Sequence, residues 1–355
     1  MNAPKQVGIA DLAGFDAVID VRSPAEFADD HIPGAINLPV LDNEERALVG
    51  TMYATDPFEA RRVGAALVAA HLAEHLKGAL AGHPKRWRPL VNCWRGGMRS
   101  GSMVQVMRMV GWDAQPLAGG YKTWRAHVIR TLDALAPQLP LRVVCGATGS
   151  AKTRVLHALA RQGEQVLDLE GMAQHKGSVL GGLPDAPQPS QKMFETRLVD
   201  AMQGLDLCRP VYVEAESRRI GRIAVPTAFI ERLRASPCVE IDVSRAARVE
   251  YLLRDYAWLG ADRETLVGLI GQLRGLQSNA SLERWSQWAR SGELEPLVQE
   301  LLELHYDPQY AKSQHGNFLR LKEARRVEAA GLSDADVEAL AGAIRQGDAP
   351  LSARP

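Results

Sequence analysis

Residues 91–100 read VNCWRGGMRS and place a cysteine between a short apolar run and a helix start. The run at residues 89–91 predicts a buried strand that ends beside Cys93, and a helix is predicted to begin at Ser100. Backbone N–H groups and the positive end of a helix, which meet at such a junction, stabilise a thiolate and attract anions. Cys93 is therefore predicted to be a nucleophile rather than an inert buried cysteine. The loop residues expected to surround a bound anion are Arg95, Gly96, Gly97 and Arg99.

The composition is that of a globular protein with two or three domains. The chain has 355 residues, of which 46% are hydrophobic and 24% are charged, and its 42 basic residues balance its 42 acidic residues. This balance argues against indiscriminate binding of nucleic acid but leaves room for a local basic face. The four cysteines are scattered and form no Cys-x-x-Cys pair, so neither a metal site nor a disulfide framework is predicted.

Targeting and membrane signals are weak throughout the sequence. The first residues lack the apolar segment of a signal peptide, and no apolar run approaches the ~20 residues that a membrane span needs. Isolated cysteines suit a reducing compartment. The expectation is a soluble, cytoplasmic protein without a membrane partner.

Upstream of the cysteine loop, the pattern predicts an α/β domain with a parallel sheet. Residues 17–22 and 35–39 predict short strands, and Ser23 followed by Pro24 predicts a helix start between them. A helical insertion is predicted at residues 42–83. This insertion is either a helix pair that packs on the sheet or a wall of a substrate site beside the cysteine loop.

The motifs of residues 15–130 resemble those of rhodanese-type sulfurtransferases. Rhodanese loops usually follow the pattern Cys-x4-Arg, whereas Cys93 to Arg99 is Cys-x5-Arg, as in the related dual-specificity phosphatases. The additional residue predicts an anion site of phosphate size. The motifs that carry the resemblance are residues 20–22, 26–27, 31–35 and 119–124.

A second loop, GATGSAKT at residues 146–153, follows a predicted strand at 141–145 and precedes a predicted helix. This is the context of a phosphate-binding P-loop, in which backbone N–H groups, a lysine and a hydroxyl group hold phosphate and Mg²⁺. Ala151 replaces the usual last glycine, which weakens any prediction of efficient nucleotide hydrolysis. The predicted phosphate-binding residues of this loop are Gly146, Thr148, Gly149, Ser150, Lys152 and Thr153.

Two further strands are predicted to bring charged residues to the edge of the sheet where the P-loop lies. Residues 165–170 end in acids, and the next strand is followed by Glu214, Glu216 and Arg218. The carboxylates could orient a metal ion and the arginine could pair with phosphate, because the carboxyl edge of a parallel sheet faces the ligand. The alternative is a solvated run of charges after a strand.

A fourth strand, at residues 239–243, leads into a helix with a basic and aromatic face. Such a face could meet the backbone and bases of RNA, or it could belong to an ordinary surface helix with ion pairs. The predicted RNA-binding residues are Arg219, Arg245 and Arg248.

Residues 257–344 predict helices, with a break at residues 305–310. The predicted fold class is α/β, with a rhodanese-like parallel-sheet domain followed by a P-loop NTPase-like α/β domain and a helical C-terminal region. The predicted boundaries are 1–136 for the first domain, 137–256 for the P-loop domain, 257–345 for the helical region and 346–355 for a flexible tail.

The ordered set of motifs over both halves resembles one family, the bacterial tRNA 2-selenouridine synthases. The Cys-x5-Arg loop, which departs from common rhodaneses, is what this family shows, and Ala151 is a small departure from its pattern. The matching motifs are residues 20–22, 45–53, 93–100, 119–122, 146–153, 168–178, 214–221 and 306–310.

The resemblance implies that selenium replaces sulfur in 2-thiouridine at the wobble position of tRNA. Members of the family first geranylate the sulfur with geranyl diphosphate and then displace the S-geranyl group with selenium from selenophosphate. Cys93 would carry selenium as an S-selanylcysteine, and Gly64 matches a position that the family links to geranylation. The implied partners are the anticodon loop of tRNA and the two co-substrates. No tightly bound cofactor is expected, Mg²⁺ is an optional ion, and a monomer is favoured.

Two questions stay open from the sequence. The P-loop could cradle the diphosphate of geranyl diphosphate, helped by Arg218, or it could retain a role in binding ATP. The function could also be that of a thiosulfate or persulfide sulfurtransferase, or of a non-catalytic RNA-binding adaptor.

Overall fold

The computed structural model describes residues 7–178, 181–182 and 186–348. The chain divides into two compact units. The cysteine-loop unit comprises Met1–Leu132 and Pro189–Asp200, and the P-loop unit comprises Asp133–Gln188 and Ala201–Pro355. The segment Pro189–Asp200 thus belongs with the first unit, although it lies within the predicted second domain.

The cysteine-loop unit contains a four-stranded parallel sheet with the order β2-β1-β3-β4. This arrangement confirms the predicted α/β class for the first half. Ile19 of the first strand lies opposite Val91 of the third, and both side chains are fully buried. The strands are β1 (Ala17–Asp20), β2 (Ile36–Asn37), β3 (Pro89–Asn92) and β4 (Gln115–Pro116).

The helices of this unit begin where the sequence supplies caps. Ser23 and Glu26 form a capping box at the first helix, and the Asp42 carboxylate accepts a hydrogen bond from the Glu45 N–H at the second. The insertion is a helix pair, as predicted, and the helix after the cysteine loop begins at Met98, two residues before the predicted start. The helices are α1 (Pro24–Asp29), α2 (Asn43–Thr55), α3 (Pro57–Lys77), α4 (Met98–Val110) and α5 (Gly120–Leu135).

The P-loop unit contains a five-stranded parallel sheet with the order β11-β10-β5-β7-β6 and a separate two-stranded hairpin, β8-β9. The strand that carries the P-loop is central, so its carboxyl end is flanked by strands on both sides. The strands are β5 (Leu141–Cys145), β6 (Gln165–Leu167), β7 (Val211–Glu214), β8 (Arg219–Ile220), β9 (Ile223–Ala224), β10 (Cys238–Val243) and β11 (Arg325–Ala329).

Helices make up most of the rest of this unit. The first of them starts directly at the P-loop lysine, and the last packs against it. The helices that follow the P-loop along the chain are α6 (Lys152–Arg161), α7 (Leu169–Ala173), α8 (Gln191–Gln203), α9 (Thr227–Ala235), α10 (Arg245–Asp255), α11 (Ala257–Ala261), α12 (Arg263–Gly271), α13 (Asn279–Ser291), α14 (Leu294–Leu301), α15 (Asp307–Asn317) and α16 (Asp334–Asp348). Residues 191–200 of α8 belong to the cysteine-loop unit.

Three sequence-based expectations for this half were wrong in detail. The region predicted to be all helical contains β11, which pairs in parallel with β10. The predicted break at residues 305–310 is instead a π-helical turn, Leu302–Tyr306, that joins α14 to α15 without interruption. The strand predicted at residues 165–170 ends at Leu167, because Asp168 caps α7.

The end of the described chain lies within α16, which runs to Asp348. The rest of the predicted flexible tail, residues 349–355, lies outside the described residues. Among the helices that the structure describes, none has the length and apolar character needed to cross a bilayer.

Candidate active site

Cys93 follows directly after β3 and is 3% exposed. Its sulfur accepts a hydrogen bond from the Gly97 N–H at 3.3 Å, and the Ser100 hydroxyl lies 3.1 Å away from the sulfur. Both groups are placed to stabilise negative charge on the sulfur, and α4 begins at the next residue after Gly97. The local geometry therefore suits a nucleophilic thiolate.

The cysteine loop is held in shape by a second glycine-rich turn. A Cβ atom at Gly120 would overlap the Cys93 carbonyl oxygen, and that oxygen accepts a hydrogen bond from the Tyr121 N–H at 2.8 Å. Gly96 has a φ of +67°, and a Cβ atom there would lie 2.9 Å from the Leu117 carbonyl oxygen. The two backbones can approach this closely only because these positions are glycine.

A buried ionic network lies beneath the loop. Asp20 and Arg22 pair at 2.6 Å, and the Arg22 guanidinium stacks over the Tyr121 ring at 3.9 Å. The Tyr121 hydroxyl donates to the Asp30 carboxylate at 2.7 Å, and burial raises the pKa of that carboxyl above its usual range. The Asp20–Arg22 motif thus stabilises the loop from below and does not face the cavity.

Arg99 is held by Glu26 of α1 at 2.7 Å, and Arg46 of α2 lies 3.8 Å from the same carboxylate oxygen. Burial would raise the pKa of Glu26, but the hydrogen bond and charge of Arg99, with the charge of Arg46, hold it below its usual range. The carboxylate is therefore ionised and orients Arg99 beside the cysteine loop.

A cavity of ≈ 840 Å³ opens above Cys93. Residues of α2, including Arg46 and Tyr53, form one wall, and Arg95 and Arg99 of the loop form another. Of the two sequence-based interpretations of the insertion, the structure supports a wall of the site. The cavity combines arginines with aromatic side chains, which suits an anion attached to a planar group.

Gly64 lies in α3 and does not line this cavity. It is buried against Val49 of α2, whose Cγ1 atom would lie 3.3 Å from a Cβ atom at Gly64. Val49 itself lines the cavity. Gly64 therefore acts on the cavity wall through Val49.

The P-loop borders a second cavity, of ≈ 540 Å³. The Lys152 ammonium donates to the Gly146 carbonyl at 2.9 Å, and the Thr153 hydroxyl donates to Glu170 at 2.8 Å. Ser150 is 1% exposed, and its hydroxyl has no hydrogen-bond partner among the described residues. A buried hydroxyl without a partner in a P-loop is a group that a phosphate oxygen could satisfy.

Ala151 adopts the left-handed conformation, with a φ of 56°. Glycine is the usual residue in this region because a Cβ atom makes it unfavourable by about 1–2 kcal/mol. Alanine in place of the usual glycine therefore costs local backbone strain. The Ala151 side chain packs into the core beside α6.

Arg248 corrects one prediction. It is 6% exposed, forms a bidentate ion pair with Asp307 at 2.8 Å and donates to the Thr148 carbonyl of the P-loop at 3.0 Å. A side chain with these partners cannot present a surface to RNA. Its role is to hold the P-loop against α10 and α15.

Three neighbouring carboxyl groups lie near the P-loop cavity, and two of them, Glu170 and Glu216, line it. Glu214 is fully buried and accepts a hydrogen bond from the Glu170 N–H at 2.8 Å, and burial raises its pKa well above the usual range. Burial also raises the pKa of Glu216 to about 8, and that of Glu170 is raised as well. The Glu216 and Glu170 carboxyl groups hydrogen-bond to each other, and their burial favours a proton held between them.

Binding of Mg²⁺ would need ligands from a bound phosphate. No group of three or more His, Cys, Asp or Glu side chains suited to a metal ion occurs among the described residues. Thr153, Glu170 and Glu216 border the cavity and could supply one or two oxygens. This matches Mg²⁺, which usually binds through few protein groups together with phosphate and water.

The remaining predicted site residues lie apart from the P-loop cavity. Arg218 and Arg219 are exposed near the β8-β9 hairpin, and Arg218 does not line the cavity. Arg245 pairs with Glu303 at 3.3 Å. The residues predicted to bind phosphate fall into two groups: Gly146 and Glu214 do not line the cavity, whereas its lining includes Thr148, Gly149, Ser150, Lys152, Thr153 and Glu216.

Several residues that line the P-loop cavity were not assigned a role from the sequence. They come from the loop after α7, from the π-helical turn and from the first turn of α15, and the family motifs at residues 168–178 and 306–310 include all of them except His305. These residues are His175, Lys176, His305, Tyr306, Gln309 and Tyr310.

A cysteine loop on one parallel sheet and a P-loop on another define a two-domain protein of the rhodanese and P-loop classes. Residues 8–127 match the family model of the rhodanese-like domain, and residues 139–267 match that of the tRNA 2-selenouridine synthase AAA domain. The chain belongs to the tRNA 2-selenouridine synthase family and is an enzyme.

Named relatives support this assignment over most of the chain. The tRNA 2-selenouridine synthase of Nitrosomonas europaea is 39% identical over 70% of this chain and 67% of its own length. That of Cupriavidus necator is 36% identical over 83% of this chain and 87% of its own. That of Bdellovibrio bacteriovorus is 32% identical over 83% of this chain and 88% of its own length.

Proposed function

We propose that the enzyme converts wobble 2-thiouridine of tRNA to 2-selenouridine through an S-geranyl intermediate, with geranyl diphosphate and selenophosphate as co-substrates. The chemistry is consistent, because alkylation turns the sulfur of a thione into a thiol leaving group. The observation that carries the proposal is the Cys93 sulfur, which accepts a backbone hydrogen bond below a cavity bordered by Arg46, Arg95 and Arg99. An anion of the size of selenophosphate fits such a cavity.

Cys93 is the proposed nucleophile towards selenophosphate. Carriage of selenium as S-selanylcysteine oxidises the sulfur–selenium pair by two electrons, so this route needs a disulfide as oxidant and later a thiol as reductant. Attack on phosphorus instead is redox-neutral: the S–P bond forms, the P–Se bond breaks and hydroselenide leaves to attack C2 of the uridine. Water then hydrolyses the S–P bond. The Ser100 hydroxyl, 3.1 Å from the sulfur, can stabilise the thiolate that departs in either route.

The adduct on Cys93 distinguishes the two routes. After incubation with selenophosphate alone, high-resolution mass spectrometry of the Cys93 peptide reports either the isotope pattern of selenium or a phosphoryl group. Absence of any adduct under quenched conditions, together with full activity of Cys93→Ser, would overturn the role of this residue.

The P-loop is the proposed cradle of the diphosphate of geranyl diphosphate. Neither step of the reaction formally consumes ATP, whereas one co-substrate carries a diphosphate. The free Ser150 hydroxyl, the Lys152 ammonium and the loop N–H groups supply the donors, and Thr153 would help to hold Mg²⁺, which would offset phosphate charge. Arg218, outside the cavity lining, contributes at most through long-range charge. Exposed Arg219 and Arg245 are proposed to contact tRNA.

Nucleoside mass spectrometry tests both halves of the proposal. With 2-thiouridine tRNA and both co-substrates, we expect Cys93→Ser to accumulate S-geranyl-2-thiouridine and form no selenouridine. We expect Lys152→Ala to leave 2-thiouridine unchanged but to selenate tRNA that is already geranylated. Unchanged geranylation by Lys152→Ala would exclude the P-loop as the cradle. Thiocyanate release from thiosulfate and cyanide without any tRNA product would favour the sulfurtransferase alternative.

A further inference from the structure

An apolar slot opens from the P-loop cavity into the helical part of the same unit. Its walls are aliphatic side chains of α10, α12 and α14, among them Leu252, Leu266 and Leu297. Gly260 of α11 lies against Leu294 at the side of the slot, where a Cβ atom would come within 2.5 Å of the leucine Cδ1. A ligand group that enters the slot therefore contacts mainly aliphatic side chains.

The slot and the P-loop cavity are continuous. Thr148 of the P-loop, Leu252, Tyr256 and Tyr306 line both. A Cβ atom at Gly149 would lie 2.9 Å from the Leu252 Cδ1 atom, so the bare backbone of the P-loop lets this leucine pack directly on it. A phosphate group on the P-loop and an apolar chain in the slot would thus belong to one molecule.

We infer that the slot binds the hydrocarbon tail of a phosphate ester whose diphosphate occupies the P-loop. The inference rests on the proposed function and deepens it, since the ester is then the prenyl donor. Two observations converge on this ligand: a buried Ser150 hydroxyl without a described partner at the phosphate end, and at the other end leucine walls whose described residues include no charged group. A nucleotide would instead place a polar base and ribose against the leucines at a cost in desolvation.

The slot is small. Its volume of ≈ 80 Å³ is room for about six waters at ~12 Å³ each. A short hydrocarbon chain suits this space and its apolar walls.

Filling the slot tests the inference directly. Val298 of α14 lines the slot and is only partly buried, so Val298→Trp fills it without enlarging the core. We expect this variant to bind geranyl diphosphate at least about tenfold more weakly, because each CH₂ excluded from the slot loses about 0.8 kcal/mol. Binding of inorganic diphosphate, which has no tail, should be unchanged. Leu304→Trp, an exposed position outside the slot, is the matched control.

Enlarging the slot should change the preferred chain length. Leu294→Ala removes the side chain that packs against Gly260, and we expect the ratio of farnesyl to geranyl diphosphate binding to rise by about tenfold. A structural defect would lower both affinities and would not alter this ratio.

Calorimetric titrations of the full-length protein with geranyl, farnesyl and inorganic diphosphate distinguish failure of the slot hypothesis from failure of the diphosphate-cradle hypothesis. Equal affinity of the wild-type protein for geranyl and inorganic diphosphate, or unchanged geranyl diphosphate binding by Val298→Trp, would overturn the slot and leave the diphosphate cradle standing. No binding of any diphosphate would overturn the cradle itself. Equal weakening of ATP and geranyl diphosphate by Val298→Trp would assign the slot to a nucleotide and also overturn the inference.

Discussion

Glu216 and Glu170 face the P-loop cavity and share a proton through a hydrogen bond. Burial raises the pKa of Glu216 to about 8, which favours the neutral form of this carboxyl group at pH 7. A neutral carboxyl group repels an incoming diphosphate less than a carboxylate does. If Mg²⁺ accompanies the diphosphate, Glu170 and Glu216 are the carboxyl groups that could hold it.

The shared proton makes stability depend on pH. Because the pKa of Glu216 is higher in the folded chain than in the unfolded chain, the folded state binds more protons between about pH 4.5 and about pH 8. Stability from this group is therefore lost as pH rises through that interval, by at most about 1.4 kcal/mol per pH unit. We expect Glu216→Gln to reduce this slope in urea unfolding at a series of pH values.

The control for this measurement is Glu264→Gln, an exposed glutamate in the first turn of α12. It should leave the pH dependence of the unfolding free energy as it is in the wild type. An identical slope in Glu216→Gln and the wild type would show that Glu216 holds no proton in the folded state.

Individual site residues could be predicted from the sequence where the groups that define their chemistry are adjacent in the chain. Cys93 and the P-loop were predictable because a strand end, glycines and a helix start are adjacent in sequence. The burial of Arg248 was not, because its partner Asp307 is 59 residues away and nothing in the helix pattern indicates that contact. An arginine on a predicted amphipathic helix looks the same whether it faces water or a distant carboxylate.

At the level of elements, the α2–α3 pair shapes the cavity above Cys93. The two helices pack closely because Gly64 of α3 offers no side chain to Val49 of α2. Since Val49 borders the cavity, the spacing of the helices sets the position of its wall.

A bulky residue at position 64 should therefore impair the reaction without touching Cys93. We expect Gly64→Leu to push α2 outwards, to cost about 1–3 kcal/mol in unfolding free energy through overpacking, and to reduce tRNA modification at least tenfold. Gly101→Leu in α4 is the matched control, because a Cβ atom there meets nothing within 4 Å. Full activity of Gly64→Leu would show that the wall position is unimportant.

Two elements escaped prediction for different physical reasons. In β11 only Val327 is buried, and arginines and a glutamate surround it, so the strand carries little apolar alternation. Pro308 follows the turn Leu302–Tyr306 and favours a helix end, yet a π-helical widening keeps the helix continuous and places His305 and Tyr306 at the cavity. The strands of both sheets that are rich in valine and leucine were found near their predicted places.

At the scale of the molecule, β11 and α16 complete the P-loop unit. The strand extends the sheet beyond β10, and α16 covers α6, the helix that begins at the P-loop. The last part of the region predicted as a helical appendage is thus integral to the phosphate-binding fold. Its stability should be linked to ligand binding at the P-loop.

A charge placed in β11 tests this link. Val327 is 8% exposed, and we expect Val327→Asp to lower the unfolding free energy of the P-loop unit by about 3–5 kcal/mol, because it buries an unpaired carboxylate. Diphosphate affinity should fall with it. Glu328→Ala, at the exposed neighbouring position, should change neither quantity. Chemical unfolding monitored with and without diphosphate provides both values, and equal stability of the two variants would contradict the role of β11.

The pairing of β10 with β11 has a consequence for synthesis of the chain. The two strands are separated by roughly 80 residues, so translation at ~5–20 residues per second leaves one edge of β10 without its partner for ~4–16 s. An unpaired edge of a parallel sheet can associate with other chains during that interval. Production of this enzyme in a heterologous host should therefore yield more native protein at a low growth temperature and a low expression level. Abundant chaperones that hold nascent chains should have the same effect.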